Sequence, residues 1–350
     1  MTSVRLTLAL VCVCTIVACM PAAEEPPVSQ GAEQAPMNGG RVLKLEELTY
    51  PEIDEIDRDQ SIFFLTFGNL EEHGPHIPVG SDYYQANGVR DLLIKRLRAA
   101  HPEYDMVVVP VIPLGEGGFN DAAHQFDHVG TFAIRYSTLQ AVAIDMGASI
   151  ASKGFQNIFL IHSHGAPLHN VAFTEASAFV SETYGVRMVN ITSLVFGEGF
   201  YSDAVLDKHL GEGWNQESGI TGHAGTGETS ANLFLHDLVN PNYRELEPFV
   251  VEDSVGIFGI GDRNGWQGYI SDPSRASALI GRDLINDLVE RSFRIAELAL
   301  SGEDLSSLPL YPDNLPTMPE ADAYLAATFG RYASREAEIT AWLEKQREGR

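Results

Sequence analysis

The sequence predicts an α/β fold with a largely parallel sheet, and three observations lead there. Short apolar or β-branched runs at Ile62 to Phe67, Met106 to Ile112, Ile158 to Ile161 and Val186 to Ile191 lack polar alternation, as strands buried on both faces do. Segments with helical spacing separate them: Tyr84 to Ala99, Tyr136 to Ser152 and His169 to Tyr184. Polar, glycine-bearing loops follow the strands, where open α/β sheets place their ligands.

The 350 residues suffice for one large domain or two ordinary ones. With 44% hydrophobic and 20% charged residues the chain is globular in composition. Its formal net charge of -25 argues against nucleic acid as a partner, because phosphate contacts need clustered Lys and Arg. The first 18 residues read as an export leader: Arg5 precedes an apolar stretch, Leu6 to Val17, too short for a membrane span. Ile16-Val17-Ala18-Cys19 resembles a bacterial lipobox, which implies cleavage before Cys19 and lipid attachment to it; a plain secretory signal cleaved nearby is the alternative. All three cysteines, Cys12, Cys14 and Cys19, fall here, so the mature fold has no disulfide, thiolate metal site or cysteine nucleophile. Residues 19–40, rich in Pro, Ala, Glu and Gln, read as a disordered tether. Several acyl chains at Cys19, each buried CH₂ contributing about 0.8 kcal/mol, would hold the protein on a membrane of the bacterial cell envelope, on its periplasmic or surface side.

From residue 41 the chain becomes globular. Leu45 to Ile56 is a short helix or loop before the first strand. Pro113 stops the second strand and Gly115, Gly117 and Gly118 open a loop that carries His124, His128 and Gly130-Thr131. Gly154 and Gly185 close two of the helices. Gly197 to Gly219 is irregular, a helix spans about Ser230 to Leu238, and Gly256 to Gly268 is another loop. Asp272-Pro273 fits the cap and first position of a long helix ending near Leu300. A charged helix, Pro319 to Gln346, belongs to a C-terminal extension, residues 319–350, beyond a catalytic domain at 41–318.

Chemistry concentrates directly after the first strand, in Glu71-Glu-His73-Gly-Pro-His76-Ile-Pro-Val-Gly-Ser-Asp82. Glu71 and His73 lie two apart, so in an extended segment they project to one side. The intervening Gly and Pro residues let Asp82 return to the same point. Carboxylates mixed with imidazoles at a strand end suit a divalent transition metal such as zinc, manganese or iron.

The longer pattern, Glu-x-His-Gly-Pro-His-x-Pro-x-Gly-x-Asp, resembles the signature of the creatininase family of metal-dependent amidohydrolases, and family-like segments follow over roughly Leu43 to Leu300. The resemblance implies a three-layer α/β/α sandwich and two divalent metal ions per chain. In His162-Ser163-His164-Gly165-Ala166-Pro167 it makes His164 a ligand and places His162 where the family has Asn. Ala166 stands where creatinine-hydrolysing members have a ligating Glu; Glu228, within Gly222-His223-Ala224-Gly225-Thr226-Gly227-Glu228-Thr229-Ser230, would supply that carboxylate. The implied site has Glu71 and His164 on one metal, His73 on the other and Asp82 bridging. Glu228 would complete the ligand set of the second metal or act on the water bound there.

The resemblance further implies hydrolysis of a C–N bond, of a kind other than a typical peptide bond, in a small amide or cyclic amide. Metal binding lowers the pKa of water towards about 7, giving a hydroxide for attack on the carbonyl. His223 is the candidate proton donor to the leaving nitrogen. Glu72 should face away from the ligands. His76 orients a ligand or lines the entrance, and His124 faces substrate, contacts another subunit or is a plain loop residue. His101, His209 and His236 read as surface or satisfied histidines. Creatinine itself fits poorly: besides Ala166, the Trp that such members carry before the His223 counterpart is missing, unless Trp214 or Trp266 supplies it. Homo-oligomers, commonly hexamers, are implied. Two alternatives stand beside this one: a surface lipoprotein that binds metal or ligand without catalysis, and a hydrolase of a lactone or ring C–C bond. There is no His-Glu-x-x-His, P-loop or Gly-x-Ser-x-Gly, and Gly259-Ile-Gly-Asp-Arg-Asn-Gly265 lacks dinucleotide spacing.

Overall fold

A computed structural model describes residues 40–126, 128–219, 222–252, 255–311 and 319–348. The leader at 1–18, Cys19, the tether up to residue 39 and the stretch 312–318 lie outside them. Five strands, β1 (Val42–Lys44), β2 (Ser61–Thr66), β3 (Asp105–Val108), β4 (Asn157–Ile161) and β5 (Arg187–Asn190), form one sheet in the order β1-β3-β2-β4-β5. Every pairing is parallel. Along the chain lie α1 (Tyr50–Asp54), α2 (Ser81–Ala100), α3 (Phe119–Ala122), α4 (Tyr136–Ala151), α5 (Pro167–Tyr184), α6 (Ile191–Gly197), α7 (Asp203–Leu210), α8 (Asn215–Ser218), α9 (Thr226–Leu235), α10 (Ala278–Leu300) and α11 (Pro319–Glu348). None of the described helices is long and apolar enough to cross a membrane.

The pleat of β2 explains the layering. All six of its residues are buried. Ile62 and Phe64 point to one face, where they meet Leu93 and Leu97 of α2, Leu194 of α6 and Ile285 of α10. Phe63 and Leu65 point to the other, against Leu139 and Ala143 of α4 and Phe173 and Ala176 of α5. The result is the expected α/β/α sandwich, with both sheet faces covered as an all-parallel sheet requires.

Four local readings differ. The edge strand β1 was hidden because it is only three residues long and partly exposed. β3 stops at Val108, before Pro110, which has no N–H to give to a neighbour; Ile112 keeps only an isolated bridge to Phe67. The irregular stretch after Gly197 contains α7 and α8, with Trp214 packed against Leu206, Ile280 and Leu284. Asp272 caps a separate 3₁₀ turn, Pro273–Arg275, whereas α10 is capped by Ser277, whose Oγ accepts the Ile280 N–H at 3.2 Å.

Candidate metal centre

The site assembles at the carboxyl ends of β2 and β4, which are neighbours with Thr66 opposite Ile161. The Glu71 N–H donates to the Val79 carbonyl at 2.9 Å, closing the loop on itself and setting Asp82, in the first turn of α2, beside Glu71. Gly74 makes the turn at φ +63°, and a Cβ there would crowd the His76 ring at 3.2 Å. β4 runs straight into His162 and His164. Glu228 arrives from the first turn of α9, where its Oε2 accepts the Ala224 N–H at 2.6 Å. Ala224 sits at φ +52°, a left-handed conformation costly for a residue with a Cβ, and its carbonyl is held by Thr229 Oγ1 at 3.1 Å and His76 Nε2 at 3.1 Å.

The donors converge. His164 Nδ1 lies 2.8 Å from Glu71 Oε2 and 3.2 Å from Asp82 Oδ2. His73 Nε2 lies 3.2 Å from Glu228 Oε1. Three sets of donor atoms fall within 4.8 Å of one another: Glu71–Asp82–His164, His73–Asp82–Glu228 and Glu71–His73–His223. Asp82 belongs to two of them.

The chemistry of these donors fits divalent metal. Glu71, Asp82 and Glu228 are buried together, and no Lys or Arg lines the cavity they face among the described residues. Three carboxylates buried together and faced only by imidazoles are costly unless a further cation joins them. Asp82 Oδ2 has no hydrogen-bond partner. Each histidine commits one ring N–H to a backbone carbonyl: His73 Nδ1 to Glu71 at 2.9 Å, His164 Nε2 to Glu116 at 3.0 Å and His223 Nε2 to Glu72 at 2.7 Å. The other nitrogen of each is thereby turned, lone pair first, towards the carboxylates, which is how metal-binding imidazoles are oriented. Burial pushes the Glu228 carboxyl up, but His73, His223 and the Ala224 N–H bring it down to about 2. Burial raises Asp82, and the imidazoles only partly offset it. His73 and His164 are disfavoured as cations by burial, yet the facing carboxylates drive both well above the ordinary imidazole value.

The remaining residues sort by contact. His223 lies between His73, ring centroids 4.4 Å apart, and Phe119, stacked at 4.7 Å with 1° between planes. Its Nδ1 is 3.7 Å from Glu71 Oε1. Glu72 faces away from the donors, accepting the Gly74 N–H at 3.0 Å, with Oε1 3.4 Å from His223 Nε2. His76 is buried behind the cluster and braces the turn before α9; burial lowers it to about 4. His162 lines the cavity, and burial lowers it to about 3. His124 is not brought to the site: it is exposed, with Nδ1 3.3 Å from Asp262. His101, His209 and His236 pair with Glu297, Asp283 and Asn232. Neither Trp214 nor Trp266 lines the cavity. Gly259-Ile-Gly261 is a turn packed on the loop after β3, its Gly259 N–H donating to Ala122 at 2.8 Å.

Some site neighbours escaped the sequence reading. Glu116 offers its carbonyl to His164, its N–H to His169 Nδ1 at 3.1 Å and its carboxylate to the Tyr332 hydroxyl of α11. The spacing of His169 five residues after His164 was the available signal. For Glu116, alone among glycines, there was none.

A cavity of about 370 Å³ opens beside the donors, walled by Phe119, Phe196, Phe200, Tyr311 and Tyr324. A parallel α/β sandwich with buried carboxylates and imidazoles at adjacent strand ends, opening on such a cavity, is the architecture of a metal-dependent hydrolase. The family described as creatininase, creatinine amidohydrolase, matches residues 46–296, and the chain belongs to it. A solved creatininase variant complexed with creatine has the same fold, with a TM-score of 0.56 at 21% identity over 74% of this chain and 98% of that one. A manganese creatininase superposes at 0.54 with 20% identity, covering 73% and 98%. A putative creatinine amidohydrolase from Bacteroides fragilis NCTC 9343 superposes at 0.51 with 20% identity, covering 76% and 98%. The mycofactocin precursor peptide peptidase of Mycolicibacterium smegmatis is 29% identical over 105 residues, which are 30% of this chain and 40% of that protein.

Proposed function

We propose that the protein is a binuclear amidohydrolase that cleaves the C–N bond of a small amide or cyclic amide. The observation that carries this reading is Asp82, shared between two three-donor sets. Glu71 and His164 would hold one divalent ion, His73 and Glu228 the other, and Asp82 both. Bound there, such ions acidify water and polarise a carbonyl oxygen. The protein's own groups supply the rest. Gln85 Nε2, 3.3 Å from Glu228 Oε1, and Ser163 Oγ, which donates to the Asp82 carbonyl at 2.8 Å, steady the carboxylates. Phe119 and His73 fix the His223 ring, and the Glu72 carbonyl occupies its Nε2, so only Nδ1 can deliver a proton to the leaving nitrogen. Burial lowers the His223 pKa, but Glu71 and Glu72 more than reverse this, keeping the protonated form accessible.

Two equivalents of zinc, manganese or iron per purified chain, with hydrolysis of amides or cyclic ureides, are expected; no retained metal after reconstitution would refute the reading. The third donor set favours a second reading in which His223 is itself a ligand. His223→Gln separates the two, since a ligand's loss lowers metal content and a proton donor's loss does not. The same proposal puts the protein in the cell envelope, exported and lipid-anchored through Cys19, as a homo-oligomer of the family's hexameric kind; the leader sequence and the family resemblance support these points.

A further inference from the structure

Beyond the candidate ligands, His162 and His223, the cavity is walled mainly by hydrocarbon and aromatic groups, with Gln85, Thr192 and Ser292 and the tyrosine hydroxyls among its neutral polar groups, and no Lys or Arg reaches it among the described residues. Opposite stand Phe196 and Phe200, ring centroids 4.2 Å apart, with Tyr311 set edge-on to Phe200 at 4.7 Å and 85°. This cluster begins one residue from a ligand: a Cβ on Gly165 would sit 2.7 Å from the Phe200 ring. Tyr311, and Tyr324 from α11, come from beyond residue 296, where the family match ends. This part of the wall therefore comes from outside the span that the family match covers.

Resting on the hydrolase reading, we propose that the substrate is an uncharged amide whose acyl substituent is an aryl or similarly bulky hydrocarbon, seated against Phe196, Phe200 and Tyr311. An aromatic substituent gains edge-to-face and offset contacts there. A carboxylate or ammonium in the same place is buried with no countercharge. A cavity of about 370 Å³ also lies within the range of roughly 300–1,000 Å³ that encloses ligands larger than a lone small ring. In the reaction, water's oxygen joins the acyl carbon, the C–N bond breaks and its electron pair leaves with nitrogen, which is protonated; the products are the corresponding carboxylate and the amine or ammonia.

The test uses the full chain reconstituted with zinc. Rates are compared for phenylacetamide, acetamide and succinamate, and binding of the product anions phenylacetate and acetate is measured by calorimetry. Phenylacetamide should exceed acetamide at least tenfold in kcat/KM, with succinamate slowest, and phenylacetate should bind at least tenfold tighter than acetate. Phe200→Ala should narrow both ratios about threefold or more; the wild-type ratios decide the matter if that variant does not fold. Equal ratios, or a preference for succinamate, overturn the substrate class while leaving amide hydrolysis standing. Discriminating binding without cleavage of any amide overturns the hydrolase reading and keeps the apolar recognition.

Discussion

Replacing Asp82 with Asn should change stability in opposite directions with and without metal. In the metal-free protein Asp82 is buried, its Oδ2 has no hydrogen-bond partner, and Glu71 lies close enough to disfavour its charge. Burial raises its pKa, so the stability it contributes is present below the unfolded value of about 3.9 and is lost as pH rises through the higher folded value. At neutral pH the folded, metal-free chain bears the cost of that charge, offset only in part by the imidazoles of His164 and His73. Asn keeps the shape and removes the charge. Relief of one unsatisfied buried group is worth about 1–3 kcal/mol, or roughly 2–12 °C in Tm at about 2–4 °C per kcal/mol. With metal the sign reverses, because both donor sets lose a member. A 100-fold loss of affinity at saturating metal removes about 2.7 kcal/mol per site, roughly 5 kcal/mol for two, and Tm should fall by about 10 °C or more. Differential scanning calorimetry in chelator and in zinc reads both arms. A variant that melts lower in both, or that keeps the wild-type gain from zinc, would refute the shared-ligand geometry.

Three further outcomes follow from particular contacts. His223→Gln should lower amide turnover about 10²–10⁴-fold while an activated ester, whose leaving group needs no proton, loses far less; stopped assays on matched amide and ester substrates check this. Burial raises the Glu116 carboxyl to about 7 even though Tyr332 donates to it, so its stabilising protonated form is lost as pH rises from the ordinary carboxylate range through about 7. Glu116→Gln should therefore flatten the pH dependence of Tm between about pH 5 and 8, by an amount on the order of 2–3 kcal/mol. Gly281→Ala places a Cβ of α10 against the Ser230 carbonyl of α9; overpacking costs about 1–3 kcal/mol, and displacement of α9 should also lower metal retention through Glu228, as melting curves and metal analysis would show.

Much of the architecture was legible because it rests on local pattern. The six-residue run Ser61–Thr66 is buried on both faces, and a strand of that kind leaves no polar position to confuse the reading. The spacing of Glu71, His73 and Asp82 survived into three dimensions because Gly74 and Pro75 make the turn that the motif implies. Partners from elsewhere were less accessible. His164 and Glu228 came from family resemblance, since nothing local distinguishes a ligating imidazole or carboxylate from one at a helix start. The start of α10 was misplaced for a related reason. Asp272-Pro273 and Ser277 are both good caps, and only tertiary packing of Ala276 and Ile280 decides which one opens the long helix.

The orientation of the histidines was illegible on different grounds. His73, His164 and His223 are each aimed by a backbone carbonyl, those of Glu71, Glu116 and Glu72. A carbonyl has no residue identity, so no motif can announce it. The same fact distributes control of the site unequally. Two of the carbonyls belong to the strand-end motif and are fixed by its own turn. The third, at Glu116, lies in the loop after β3, and that loop is tied by Tyr332 to α11, outside the family's span. The C-terminal helix thus reaches the site twice, through Tyr324 in the cavity wall and through Glu116 behind His164. A segment with no recognisable chemistry in its sequence is placed to govern both the aim of one donor and the shape of the space beside it.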